Sequence, residues 1–256
     1  MKPLLFTAVI AASLAPPLAA QTMTLSATAD AFVSSANATS NYGGAGALAV
    51  SAAGLPKGEF DSLLRFDFAA AKNSFDALYG AGLWSLQSVT LTLTAQSPAN
   101  PVFNGNGAGP GGTNVNSAGQ LGFKWILDDS WVEGTGTPNA PTTDGIAYSG
   151  LGVLLSHGNE SLGTFAFGGA TSGASNYSLS LTPSFSADAA AGQLVSLVAQ
   201  PADTGVSDVT AARSVGTASQ RPVLTVTAVP EPCSAALALC GLLMLAARRG
   251  RPQAHA

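Results

Sequence analysis

Residues 88–95 read Ser-Val-Thr-Leu-Thr-Leu-Thr-Ala, a strict alternation of polar and apolar side chains. Successive side chains of a β-strand point to opposite faces, so this run predicts a strand that buries Val89, Leu91, Leu93 and Ala95. The threonines then face water, which suits a β-branched polar side chain on a pleated surface. This period of two, rather than a helical period, decides the fold class.

Seven further runs of similar length extend the pattern on both sides and are bounded by Gly, Pro, Asn or Ser. They are residues 22–28, 62–68, 121–127, 163–167, 177–181, 194–199 and 222–228. One short helix is expected over residues 183–191. Many strands with almost no helical periodicity predict an all-β protein, an antiparallel jelly-roll-like β-sandwich spanning residues 21–228 as one domain.

The composition excludes several classes of protein. Of 256 residues only 9% are charged and 46% are hydrophobic, yet long apolar runs occur only at the two ends, which argues against a polytopic membrane protein. Residues 21–229 hold six basic and thirteen acidic side chains, a net charge of −7. Because nucleic-acid binding needs a surplus of Lys and Arg, no nucleic-acid partner is expected.

The first twenty residues have the order typical of a secretory signal peptide. Lys2 is followed by an apolar stretch over residues 4–14 and by the small residues Ala19 and Ala20. We expect an N-terminal signal helix that signal peptidase removes after Ala20.

The C-terminal segment, residues 229–251, combines three features in a fixed order. They are a Pro-Glu-Pro triplet, an apolar stretch and an arginine cluster: Pro230, Glu231, Pro232, residues 233–247, Arg248, Arg249 and Arg251. The apolar stretch predicts a short transmembrane helix whose arginine side stays in the cytoplasm. A plain C-terminal anchor is the alternative interpretation.

This segment resembles the PEP-CTERM sorting signal of Gram-negative bacteria. The resemblance implies export across the inner membrane, transient anchoring there, and recognition by an exosortase that cleaves near the triplet. It further implies delivery to the cell surface or the extracellular matrix.

A second resemblance covers most of the body. Residues 29–33, 41–43, 62–68, 131–135 and 221–227 are similar, in order and spacing, to the segments of DNRLRE-type domains, secreted modules related to the archaeal disaggregatase domain. This resemblance implies a jelly-roll-like, carbohydrate-binding-module-like sandwich with a carbohydrate-binding or adhesive role. The Gly- and Asn-rich residues 97–120 are expected to form a surface or functional loop, or else a linker.

Sugar recognition needs aromatic platforms beside polar side chains, because the C–H face of a sugar stacks on a ring and its hydroxyls need directional partners. The candidates are Trp84, Trp131, Tyr42 and Tyr148. Trp125 lies within a predicted strand and is expected in the core. A core position is the alternative for every one of these rings.

Catalytic and metal-binding patterns are sparse. Asp128, Asp129 and Asp30 are candidate ligands for Ca²⁺, although an aspartate at a turn also has a local structural explanation. His157 is the one histidine of the body, so no Ser-His-Asp set is predicted. Arg65 and Asp67, two apart on one strand, are expected to form a cross-strand cluster of ion pairs.

The leading hypothesis is therefore an exported, non-catalytic surface or matrix protein that associates with extracellular polysaccharide. One alternative is a polysaccharide lyase or hydrolase whose site is built from loops. The other is a purely structural component of a biofilm matrix.

Overall fold

The protein is described by a computed structural model over residues 19–96 and 113–231. Ten strands form in this part of the chain: β1 (Gln21–Ser34), β2 (Ala47–Ser51), β3 (Phe60–Asp67), β4 (Trp84–Thr94), β5 (Gly119–Ile126), β6 (Asn159–Phe167), β7 (Ala174–Leu179), β8 (Leu194–Pro201), β9 (Ser207–Ala211) and β10 (Val223–Pro230). Three α-helices accompany them: α1 (Ala69–Tyr79), α2 (Tyr148–Ser156) and α3 (Pro183–Ala191).

The ten strands form one nearly closed antiparallel sheet. Its path is β6-β5-β8-β3-β1-β10-β4-β7, and β2 pairs with both β3 and β9. The two ends of the path approach each other, since the Ser180 N–H beyond β7 donates to the carbonyl of Leu162 in β6 at 2.8 Å. The predicted antiparallel, mainly β architecture is confirmed.

Strand β1 belongs to both layers of the sandwich. Residues 21–26 pair with β10, residues 27–34 pair with β3, and a register shift lies between Ala27 and Ala29. The layer of β7, β4 and β10 packs on the layer of β3, β8, β5 and β6, as the Phe123 and Tyr177 rings at 4.9 Å show. One long strand thus closes the sandwich at its side.

The layer that contains β3 is buried on both faces. Its inner face contributes Leu64, Phe66 and Phe123 to the main core. Its outer face holds a second apolar cluster of Leu63, Ile126 and Val198. Trp131 and helix α2 lie on this second cluster, so the chain between β5 and β6 forms a cover over the layer.

The sequence predicted the alternating strands well and other elements poorly. Val89, Leu91 and Leu93 are buried as expected, and α3 has the predicted bounds. Strands β2 and β9 and helices α1 and α2 were not predicted, so the helical content was underestimated. The expected Arg65–Asp67 ion-pair cluster is wrong, because Asp67 accepts a hydrogen bond from the Ala69 N–H while Arg65 reaches backbone carbonyls.

Several sequence predictions fall outside the described residues. They are residues 1–18 of the signal peptide predicted over residues 1–20, most of the loop over residues 97–120, and the sorting segment from Pro232 onward, with Arg248, Arg249 and Arg251. In the ranges that are described, no helix is long and apolar enough to cross a membrane.

Candidate functional site

Asn41 organises the chain that follows β5. Its buried amide donates to the carbonyls of Glu133 (2.7 Å) and Ile146 (2.8 Å). Its side-chain oxygen accepts the N–H groups of Gly43 (3.0 Å) and Gly136 (3.2 Å). One side chain therefore fixes both ends of residues 133–146 against the turn after β1.

Glycine allows this close approach. A Cβ on Gly43 would lie 2.0 Å from the Glu133 carbonyl oxygen, and one on Gly136 would lie 1.9 Å from the backbone carbonyl oxygen of Asn41. Gly134 also has a φ of +75°, which side chains rarely adopt. The Asn41-Tyr42-Gly43 motif is thus a structural device that holds the loop.

The loop forms one wall of a surface cleft of about 510 Å³, here called the Arg65 cleft. The opposite wall comes from β1 and β3. Its polar lining consists of Thr28, Arg65, Ser130, Glu133, Thr135 and Asp144. A cleft of this size is in the range of small-ligand sites.

Arg65 joins the two walls of the cleft. Its Nη1 donates to the carbonyls of Asp129 (2.8 Å) and Trp131 (2.9 Å), and its guanidinium lies 4.9 Å from the centre of the Trp131 ring. The planar fork of arginine suits such a combined role, which lysine does not reproduce. The side chain is only half-buried, so it also faces the cleft.

Glu133 is held by a second arginine behind the cleft. Arg213 Nε donates to both carboxylate oxygens of Glu133 at 2.9 Å, and Arg213 Nη2 bonds to Oε2 as well. The Arg213 N–H donates to Asp30 Oδ2 at 2.6 Å. Burial, together with the charge of Glu133, raises the pKa of Asp30 to about 7 despite this backbone bond.

Asp144 lies at the exposed rim of the cleft. Its carboxylate accepts the Thr135 hydroxyl (2.7 Å), the Thr135 N–H (3.1 Å) and the Thr142 hydroxyl. These hydrogen bonds lower the pKa of Asp144 to about 2, so it is ionised at neutral pH. The rim therefore presents a fixed, preoriented acceptor.

The four aromatic candidates are not gathered in one place. Tyr42 is fully buried and stacks on Phe32 at 4.7 Å, and Trp84 is 5% exposed with its Nε1 donating to Asp76 Oδ1 at 2.7 Å. Tyr148 is half-buried, and its hydroxyl donates to Glu59 Oε2 at 2.9 Å.

Trp131 alone of these four lines the Arg65 cleft. It is 5% exposed and donates from Nε1 to the Ser196 hydroxyl at 2.8 Å. The burial of Tyr42, Trp84 and Trp131 argues against a platform on which a sugar ring stacks. Hydrogen bonds from the polar lining of the cleft are the remaining means of binding a sugar. Trp125, expected in the core, is 3% exposed.

The three aspartates suggested for Ca²⁺ do not form one site. Asp128 accepts the Ser130 N–H and pairs with His157 Nδ1 at 2.7 Å, while Asp30 bonds to the Arg213 backbone. Nowhere in residues 19–96 and 113–231 is a group of three or more His, Cys, Asp or Glu side chains placed to hold a metal ion. The polar groups that line the Arg65 cleft are hydrogen-bond donors and acceptors.

Sequence reasoning missed part of this cleft. The run Trp131 to Thr135 was noticed as a motif, and Glu133 and Thr135 within it do line the cleft. Nothing in the sequence marked Asp144 as a site residue, because a single acidic residue in a Pro- and Thr-containing loop is common. Its role depends on the Asn41 contacts that return the chain to Thr135.

Two comparisons bear on this site. Carbohydrate-binding module family 96 matches residues 21–97, which include β1 to β4 and therefore Thr28 and Arg65 of the cleft. No curated protein matches the chain closely enough to count as a relative. The match supports the interpretation of this β-sandwich as a carbohydrate-binding domain.

Proposed function

We propose that the protein is an exported, non-catalytic protein of the cell surface or extracellular matrix that binds polysaccharide in the Arg65 cleft. The observation that carries the proposal is the match of residues 21–97 to a carbohydrate-binding module, since two of the matched residues line the cleft. The closer affiliation to DNRLRE-type domains is part of the same proposal.

The cleft offers the mixture of groups that sugar hydroxyls need. Asp144 is an ionised acceptor, while Thr28, Ser130 and Thr135 carry hydroxyls that donate or accept. Hydrogen bonds hold Asp144, Glu133 and Arg65 before any ligand arrives. Such preorganisation lowers the entropic cost of binding.

The same contacts favour binding over catalysis. Glycoside hydrolysis uses one carboxylic acid that donates a proton and one free carboxylate. Here the carboxylate of Glu133 is paired with the guanidinium of Arg213. The lowered pKa of Asp144, which Thr135 and Thr142 hold, leaves it ionised and without a proton to donate. The alternative of a degrading lyase or hydrolase predicts release of oligosaccharides, which a reducing-end assay detects.

Export and sorting rest on the sequence of the two ends. The proposal includes cleavage by signal peptidase, transient anchoring in the inner membrane of a Gram-negative bacterium, and processing by an exosortase. The PEP-CTERM-like order of triplet, apolar stretch and arginines supports it.

The test of the binding proposal is affinity gel electrophoresis of the full-length protein in gels that contain a polysaccharide. The panel consists of dextran, mixed-linkage β-glucan, galactomannan, alginate and polygalacturonate. We expect retardation by at least one of them and about tenfold weaker binding after Asp144→Asn, because the neutral amide oxygen accepts a weaker hydrogen bond than the charged carboxylate does.

Asp203→Asn is the matched control. Asp203 is likewise ionised and likewise accepts backbone N–H groups, but it lies at the turn before β9. It should leave binding unchanged. Absence of retardation by every polysaccharide would contradict the proposal and favour a purely structural matrix component.

A further inference from the structure

A second cleft opens on the other side of the segment 127–131. It has a volume of about 430 Å³ and is here called the Asp188 cleft. Its lining includes Trp125, Leu127, Asn159, Glu160, Ser184 and Asp188. All of these residues lie outside the range that matches the carbohydrate-binding module.

The side chains of the Asp188 cleft are positioned by one another. Trp125 Nε1 donates to Asp188 Oδ2 at 3.0 Å. Glu160 accepts the Ser184 hydroxyl at 2.6 Å and the Ser184 N–H at 3.1 Å, at the first turn of α3. Asp188 Oδ1 takes part in none of these bonds and remains available as an acceptor.

The lining combines acceptors with an apolar surface. Leu127 is 54% exposed, and Gly158 and Ala187 complete the apolar part. Among the lining residues there is no lysine or arginine. Two carboxylates without a cation favour a ligand that donates hydrogen bonds from hydroxyls and disfavour one that carries carboxylate or sulfate groups.

The two clefts lie at the same end of one sheet layer. The β-ladder aligns Arg65 with Ser196, Ser196 with Ile126, and Ile126 with Asn159. These are three steps between neighbouring strands, or about 14 Å at about 4.8 Å per step. Arg65 lines the first cleft and Asn159 the second.

Asp129 interacts electrostatically with one residue of each cleft, Asp188 and Arg65. Burial raises the pKa of its carboxyl; the charge of Asp188 raises this pKa further, and the charge of Arg65 lowers it. Its carbonyl accepts the Arg65 guanidinium. The segment 127–131 is a ridge between the two clefts, because Leu127 lines the Asp188 cleft while Ser130 and Trp131 line the Arg65 cleft.

We propose that the Arg65 and Asp188 clefts are two subsites for one linear, neutral polysaccharide chain that crosses this ridge. This inference rests on the proposed polysaccharide binding and adds its second subsite, its class of ligand and its dependence on chain length. A disaccharide fills the Arg65 cleft alone, whereas a longer chain also donates hydroxyls to Asp188.

The experiment measures the affinity of the full-length protein for dextran, mixed-linkage β-glucan and galactomannan, and for oligosaccharides from disaccharide to hexasaccharide made from whichever binds. Isothermal titration calorimetry gives the dissociation constants. Affinity should rise with length in the wild type. Asp188→Asn should weaken hexasaccharide binding about tenfold and leave disaccharide binding unchanged.

Asp76→Asn is the matched control. Asp76 is also a helical aspartate that accepts an indole N–H, from Trp84 at 2.7 Å, and it lines neither cleft. It should change no affinity. Asn159→Ala, with the strand residue Asn176 changed to alanine as its control, repeats the test without touching an indole.

The outcomes separate the two proposals. Equal hexasaccharide affinity in the wild type and Asp188→Asn, or equal losses for disaccharide and hexasaccharide, would overturn the two-subsite inference while polysaccharide binding stands. Binding to alginate or polygalacturonate alone would overturn the neutral class of ligand. Binding to nothing in the panel would overturn the proposed function itself.

Discussion

Asp208 and Tyr177 are two polar residues whose burial in the core lowers the stability of the folded chain. Asp208 on β9 is 4% exposed and Tyr177 on β7 is 3% exposed, and neither Asp208 Oδ1 nor the Tyr177 hydroxyl has a hydrogen-bond partner. Burial raises the pKa of Asp208 to about 7 and that of Tyr177 to about 12. The chain therefore folds most readily when the Asp208 carboxyl is protonated and neutral.

Three buried aspartates share this behaviour and give the protein a pH-dependent stability. Burial raises the pKa values of Asp30, Asp61 and Asp208 from 3.8 to about 7. Between these values the folded chain holds protons that the unfolded chain has released. The free energy of unfolding therefore falls as pH rises from about 4 to about 7.

We predict a higher melting temperature at pH 5 than at pH 8, and a smaller difference between the two in Asp208→Asn, because asparagine stays neutral throughout. Thermal unfolding followed by circular dichroism measures it. Asp203→Asn is the control, since the pKa of Asp203 is lowered and its titration lies below this window. A melting temperature that rises from pH 5 to pH 8 would contradict the prediction.

At the scale of elements, the loop over residues 133–146 has few regular hydrogen bonds of its own and depends on Asn41. The Asn41 amide reaches the carbonyls of Glu133 and Ile146, and the Asn41 N–H donates to the Thr142 carbonyl at 2.7 Å. The wall of the Arg65 cleft is therefore positioned from the turn after β1.

Asn41→Asp should release this loop. The change keeps the shape but removes both amide donors and places a carboxylate beside two carbonyls, which we expect to cost about 3 kcal/mol. Hydrogen exchange of residues 133–146 should rise and polysaccharide affinity should fall. Asn176→Asp is the control, because that exposed amide only accepts a bond from Thr92; similar exchange in both variants would contradict this role of Asn41.

The elements that the sequence predicted well are those with one face in the core and one face exposed to solvent. Strand β4 alternates because its inner residues are buried and its threonines face water. All five residues of β2 and of β9 are buried, and each strand is only five residues long. The apolar run of β2 shows no alternation, and the buried Asp208 and Thr210 of β9 have the polarity of a solvent-exposed turn. Helix α1 did carry a signal, since Ala71, Phe75 and Tyr79 recur every four residues on its buried face.

The candidate site was less predictable than the fold, for a physical reason. Arg65 was assigned to a strand face correctly, but its partners are the backbone carbonyls of residues 129 and 131. Every residue has a backbone carbonyl, so such partners cannot be recognised from residue types. Trp131 was noticed, but its burial beneath Arg65 follows from the path of the cover over the β3 layer. Long-range backbone contacts of this kind determine the site.

At the scale of the whole molecule, the two ends of the sandwich chain leave from one edge. Gln21 at the start of β1 pairs with Ala228 in β10. The Tyr79 hydroxyl lies 2.6 Å from the Ala19 carbonyl oxygen and 3.2 Å from that of Ala228. The two segments proposed to direct export therefore join the folded body side by side.

This arrangement limits where the C-terminal segment can be removed without loss of stability. Strand β10 continues into the proposed sorting triplet: Pro230 pairs with Trp84, and the Glu231 N–H donates to the Leu83 carbonyl at 2.9 Å. We predict that mass spectrometry of the extracellular protein finds its C-terminus at or after residue 231. A chain that ends at Thr227 loses three β10–β4 pairs, one β1–β10 pair and the Glu231–Leu83 hydrogen bond. It should melt several degrees lower, since each hydrogen bond contributes about 1 kcal/mol. A chain that ends at Glu231 is the control and should melt with the full-length protein, whereas an extracellular form that ends before Val229 and keeps the full melting temperature would contradict the argument.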